Sequence, residues 1–173
     1  MTSTAPSGTS VTTQIYRVFI KATPQAIWDA ITTPEWTQRF GYGLRDVYEL
    51  RPGGSYRGYS SAGMLSMGMP EVAVDGEVIE ADPPRKLVVT WRMAMDPSMA
   101  AEGHTRLTYE IVEGRNGVSR LSVIHDLTGT PGHAAMVAGD QQGPGAGGGW
   151  TWILSDLKTL LESGTQMVAS GGW

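Results

Sequence analysis

His125 and Tyr109 are the residues of this chain best placed to do chemistry, and strand alternation puts them there. Leu121, Val123 and His125 share one face of an extended segment, as do Leu107, Tyr109 and Ile111 on the segment before it. Leu87, Val89, Trp91 and Met93 form the matching apolar face of a third, leaving Thr90 and Arg92 on the other side. A histidine on the core side near a strand end is held neutral by burial, which suits it to hydrogen bonding or to proton transfer. Between these, a structural or ligand-orienting role is preferred to acid–base work. The Tyr109 hydroxyl could hold a carbonyl or phenol, although packing against Trp150 or Trp91 is the simpler expectation. Glu77 and Glu80 fall on opposite faces of their strand, so at most one points inward, and solvent exposure is expected of both. Arg92 and Arg106 belong to outer faces, where cross-strand charge pairing is expected.

Around these groups the sequence gathers soft and aromatic side chains. Met64, Met67 and Met69 cluster in a glycine-containing loop, and Met93, Met95 and Met99 follow the Trp91 strand. Flexible thioethers suit a surface that fits ligands of variable shape, and equally suit gap-filling at a sheet end. Trp36, Phe40 and Tyr42 are placed to close a cavity beside two short helices. The expected ligand-contacting set is Trp36, Phe40, Met64, Met67, Trp91, Met93, Tyr109, His125, Trp150 and Leu154, with His125 and Tyr109 as the catalytic candidates. An apolar pocket with a few polar groups is the usual shape of a small-molecule site.

Other chemistries lack their parts. Gly143 to Gly148 formally satisfies G-x-G-x-x-G, but it follows a loop rather than a strand and no βαβ unit comes after it. No P-loop lysine, H-E-x-x-H or G-x-S-x-G occurs. His104, His125 and His133 form no compact ligand pattern and the chain has no cysteine, so neither a metal nor another cofactor is expected.

The elements that must position the site follow from period and punctuation. The 173 residues make one domain's worth of chain, with 23 glycines marking many turns. Residues 1–10 read as a disordered leader, 11–163 as a single domain and 164–173 as a tail. Alternation predicts a first strand from Thr12. Thr23-Pro24 then caps a short helix, and Thr33-Pro34 ends it. Three hairpins follow, over Leu44–Ser61, Val72–Met93 and His104–Leu127, the last joined by Gly114-Arg115-Asn116-Gly117 with its Asn-Gly signal. Thr128 to Gly149, rich in glycine and alanine, is expected to be a mobile loop or lid. Trp150, Ile153, Leu154, Leu157, Leu160 and Leu161 then form one helical face, with Ser155, Asp156, Lys158 and Glu162 on the other. This order predicts an α+β fold in which a curved antiparallel sheet of six to seven strands wraps a long C-terminal helix.

Several strings, in this order, carry a resemblance. They are Ala22-Thr23-Pro24 with Ile27-Trp28, Thr33-Pro34-Glu35, Leu50 to Gly54, Gly76 to Pro84, Leu87 to Trp91, and Gly149-Trp150. Together, from Val11 to about Ser163, the chain resembles the SRPBCC or START-like superfamily, and within it the branch named after the activator of the heat-shock-protein-ninety ATPase. The resemblance implies a helix-grip fold with an apolar cavity between sheet and helix, but not one activity. Met64 to Met69 stands where relatives commonly carry a short polar hairpin.

Three functions are therefore carried forward. The first is binding of a hydrophobic small molecule, such as a lipid, polyketide or similar metabolite. The second is a cofactor-independent cyclase or dehydratase acting on a polyketide-like substrate with His125 as acid/base. The last is a co-chaperone-like interaction module. A net charge of −4 disfavours nucleic acid, and no stretch approaches the roughly 20 apolar residues of a membrane helix. A cytoplasmic protein with a hydrophobic ligand is expected, with a homodimer left open.

Overall fold

Side-chain alternation and short polar turns build seven strands: β1 (Thr13–Ile20), β2 (Arg45–Tyr48), β3 (Ser55–Tyr59), β4 (Val72–Asp82), β5 (Lys86–Met93), β6 (Thr105–Glu113) and β7 (Ser119–Asp126). In the computed structural model, which describes residues 12–139 and 147–168, they lie in the order β1-β7-β6-β5-β4-β3-β2. Every neighbouring pair is antiparallel. The leader expected over residues 1–10, most of the glycine run at 143–148 and the end of the expected tail lie outside the described residues.

The β6–β7 hairpin shows why the Asn-Gly signal is strong. Asn116 (φ 57°) and Gly117 (φ 75°) both take positive φ, the conformation whose twist matches that of the flanking strands. The register Leu107↔His125 and Tyr109↔Val123 follows from it. Across β4 and β5, Arg92 meets Asp75 in register, with Nε and Nη2 donating to the two carboxylate oxygens at 3.0 and 2.7 Å. This pair, on the outer face, holds the Asp75 carboxyl below its ordinary range.

Helices cover the inner face. Thr23 caps α1 (Pro24–Thr32), its Oγ1 accepting from the Ala26 N–H, and α1 buries Ile27, Ala30 and Ile31. Thr33 and Pro34 stop α1 and start α2 (Pro34–Thr37). The long C-terminal helix, α6 (Gly149–Ser163), buries Trp150, Leu154, Leu157 and Leu160 against the sheet. The architecture is the expected α+β helix-grip arrangement, with one core between the sheet, α1 and α6.

Two local expectations need correction, at the Met64 segment and at Thr128–Gly149. The Met64 segment is not loop throughout: Ser61 caps a short helix, α3 (Ala62–Ser66). Asp96 likewise caps α4 (Pro97–Glu102), so Met99 sits on a helix. Within Thr128–Gly149 lies α5 (Pro131–Ala138), which begins with proline at its first position and ends at Gly139 in the left-handed region (φ 84°). The α5 N-terminus is capped from outside. Glu102 on α4 accepts the backbone N–H of Gly132 at 2.8 Å and of His133 at 3.1 Å.

Asp156 is the third correction. Helical periodicity assigns it to the solvent face of α6, yet it is 1% exposed. One carboxylate oxygen accepts from the Gly41 N–H and the other from the Met167 N–H, both at 2.8 Å. Through these two backbone donors Asp156 ties α6 to the α2–β2 loop and to the chain that follows the helix.

Candidate ligand cavity and the histidine behind it

Between the sheet and α6 the side chains do not meet completely, and a cavity of about 350 Å³ remains. Helix α6 supplies Trp150, Ile153, Leu154 and Leu157 to its wall, and β5 supplies Trp91 and Met93. Met136 and Val137 of α5 close another side. Phe40, Tyr42 and Leu44, from the α2–β2 segment, line it next to Met64, Met67 and Met69 around α3. Met67 is 69% exposed and still lines the cavity, which marks that side as its rim.

The tight junction of α5 and α6 depends on one glycine. Gly149 has φ +54°, and a Cβ there would lie 2.2 Å from the Val137 carbonyl oxygen. Its N–H donates to the Tyr42 hydroxyl at 3.1 Å, linking the helix start to the opposite wall.

Of the ten residues expected at the ligand, eight line the cavity: Phe40, Met64, Met67, Trp91, Met93, Tyr109, Trp150 and Leu154. Trp36 does not. It packs on the core margin with the Arg39 guanidinium over its ring at 4.5 Å. His125 does not line the cavity either. It is fully buried one layer behind, its ring edge-on to both Trp91 and Trp150.

The partners of His125 fix its protonation. The Trp150 indole, which can only donate, gives its Nε1–H to His125 Nδ1 at 3.1 Å. The proton of the ring therefore resides on Nε2, which donates to Thr105 Oγ1 at 2.7 Å. The Thr105 hydroxyl in turn donates to the Trp91 carbonyl at 2.8 Å. Both ring nitrogens are engaged in this relay from α6 to β5. Burial, with a smaller contribution from His133, lowers the His125 pKa to about 3, so the ring is neutral at physiological pH.

His133 repeats the pattern on the other side of Trp91. Its Nε2 accepts the Met93 N–H at 3.1 Å, and its Nδ1–H donates to Glu102 at 2.7 Å. The two histidines thus set both tryptophans and α5 around the cavity without entering it.

What sequence reasoning passed over is Asp46. It lies on β2 in the cavity wall, beside Tyr56 of β3 and within electrostatic reach of Tyr109. Burial pushes its carboxyl up to about 7, against a smaller lowering by the Tyr56 hydroxyl, which donates to Oδ1 at 3.3 Å. A signal existed: Leu44, Asp46 and Tyr48 share strand parity, which put an acid on an apolar face. Met136 escaped because its helix reads as glycine-rich loop.

Among the described residues there is no group of three potential metal ligands and no helix long and apolar enough to cross a membrane. No curated protein sequence matches the chain. Among solved structures, CalU16 from Micromonospora echinospora is similar at a TM-score of 0.62 and 17% identity, covering 92% of this chain and 78% of that one. DynU16, a protein in the dynemicin biosynthetic locus, is similar at a TM-score of 0.62 and 17% identity, covering 91% of this chain and 50% of its own. PFC0360w, an HSP90 activator from Plasmodium falciparum, reaches a TM-score of 0.51 at 18% identity, covering 66% of this chain and 71% of that one. At these identities the likeness is one of fold. The sequence profile described as "Activator of Hsp90 ATPase homolog 1-like protein" matches residues 21–162, and with its helix-grip sheet and C-terminal helix the chain belongs to that family.

Proposed function

We propose that this protein binds a hydrophobic small molecule, a lipid, polyketide or similar metabolite, in the cavity between sheet and α6, and that it does so in the cytoplasm. The observation that carries this reading is the cavity itself. At about 350 Å³ it is within the size range of small-molecule sites, and its wall is apolar except for a few polar groups. The place of DynU16 in a biosynthetic locus supports a small-molecule role for the fold.

A cyclase or dehydratase with His125 as acid/base is less well supported. Both nitrogens of that ring are occupied, and it is shielded from the cavity by Trp91 and Trp150. A ligand-orienting role, through the tryptophan it holds, fits these contacts better. The co-chaperone-like alternative rests on fold likeness alone.

Met136→Trp tests the binding reading by filling the cavity from α5. A hydrophobic fluorescent reporter is expected to bind the wild-type protein and to lose affinity about tenfold or more in the variant. The unfolding free energy should change by no more than about 2 kcal/mol, the usual scale of overpacking. Unchanged reporter affinity in a folded Met136→Trp protein contradicts binding in this cavity.

A further inference from the structure

Among the described residues that line the cavity, Asp46 is the one carboxylate, and none is a lysine, arginine or histidine. Its position is built rather than incidental. The Asp46 N–H donates to Thr37 Oγ1 at 2.9 Å, and its cross-strand neighbour is Gly58. A Cβ on Gly58 would lie 2.7 Å from Asp46 Oδ1 and 3.2 Å from Val74 Cβ, so the glycine clears the space the carboxyl occupies. Tyr56, stacked on Tyr48 with ring centroids 4.3 Å apart, makes the one protein hydrogen bond to that carboxyl among the described residues. A carboxylate offers about four acceptor sites. The others are left for whatever occupies the cavity.

An ionised carboxylate in an apolar hollow, with no cation beside it, is strongly disfavoured unless an incoming group compensates it. The surroundings indicate the sign of that group. Trp91, Trp150, Tyr56 and Tyr109 present aromatic rings to the same space, and aromatic faces attract cations. An ammonium would gain both the carboxylate and the rings. A fatty acid or phosphate ester would meet Asp46 with no basic residue among the described lining to offset the repulsion.

We propose that Asp46 anchors the polar head of the ligand, and that the ligand is an apolar molecule carrying a protonatable amine. This rests on the binding reading above and narrows it to a chemical class.

The test uses the full chain and a hydrophobic fluorescent reporter displaced by decylamine, decanol or decanoic acid. At about pH 8, decylamine is expected to compete at least tenfold better than decanol, the increment of about one charge-assisted contact, with decanoic acid the weakest. The amine needs Asp46 ionised, so its advantage should fall roughly tenfold for each pH unit below about 7. Tyr48, Tyr56 and Tyr109, the titratable groups facing Asp46, are all pushed above their ordinary values by burial and stay neutral there. Asp46→Asn should abolish both the preference and its pH dependence. Should that variant fail to fold, the pH dependence of the wild-type protein decides. Equal competition by amine and alcohol, tightest binding of the acid, or a preference surviving in Asp46→Asn overturns the inference. If the reporter itself fails to bind, the binding reading falls with it, whereas reporter binding without amine preference sinks the amine inference alone.

Discussion

His125→Leu is expected to lower the unfolding free energy by about 3 kcal/mol, although leucine is close in size and the site is fully buried. The loss is polar rather than steric. The Trp150 Nε1–H loses its acceptor and Thr105 Oγ1 loses the donor it faces, so two polar groups in the core are left with unmet hydrogen-bonding capacity. Chemical denaturation of His125→Leu, Trp150→Phe and the double variant measures the coupling. Because Trp150→Phe removes the orphaned donor, the double variant should cost about 1–2 kcal/mol less than the sum of the singles. His125→Gln, whose amide oxygen and NH₂ can replace acceptor and donor, should recover part of the loss. Strict additivity, or a cost below about 0.5 kcal/mol, would show that the relay between α6 and β5 does not hold the cavity wall.

The second large effect is a pair of opposed pH slopes hidden in the wild-type protein. His125 has a folded pKa of about 3, below its unfolded value, so its contribution is present above about pH 6.5 and is lost as pH falls towards 3. Asp46 has a folded pKa of about 7, above its unfolded value. Its contribution is therefore full below about pH 4 and is lost as pH rises through 7. Between about pH 4 and 6.5 the unfolded chain holds one more proton at His125 and one fewer at Asp46, and the two slopes offset. Removing either should unmask the other. Relative to wild type, the stability of Asp46→Asn should rise with pH in that window by up to ~1.4 kcal/mol per unit, and that of His125→Gln should fall by a similar slope. Denaturant midpoints measured across the window check this, and stability curves parallel to wild type in both variants would contradict the burial of these two groups.

Much of the fold was legible because its signals are local. The alternation through β1, β5, β6 and β7, the Asn116-Gly117 turn and the apolar face of α6 each depend on residues a few positions apart. Helix α5 was missed for a related reason. Its sequence has no charged residue to set a polar face against an apolar one, and the surrounding glycines suggest loop, although Thr130-Pro131 repeats the start signal of Thr23-Pro24. Asp156 misled because periodicity tells which helix face meets the sheet, not which backbone segments return over the other. The site was half legible. Parity placed Trp91, Tyr109 and Trp150 near one another, but whether His125 reached the cavity depended on the Leu107↔His125 register and on where the Trp150 indole nitrogen pointed. Asp46 was visible in the alternation and passed over, since a lone acid on a short strand is ordinarily solvated.

An apolar ligand held between the sheet and α6 would touch methionines, whose methyl groups report on it directly. Met93, Met95 and Met136 line the cavity, whereas Met99 and Met167 do not. In protein labelled with ¹³C at the methionine methyl groups, NMR titration with decylamine or decanol should shift the Met93, Met95 and Met136 resonances together in a saturable manner. Those of Met99 and Met167 should stay in place. Saturable binding that moves Met99 or Met167 while Met93, Met95 and Met136 stay fixed would place the ligand outside this cavity.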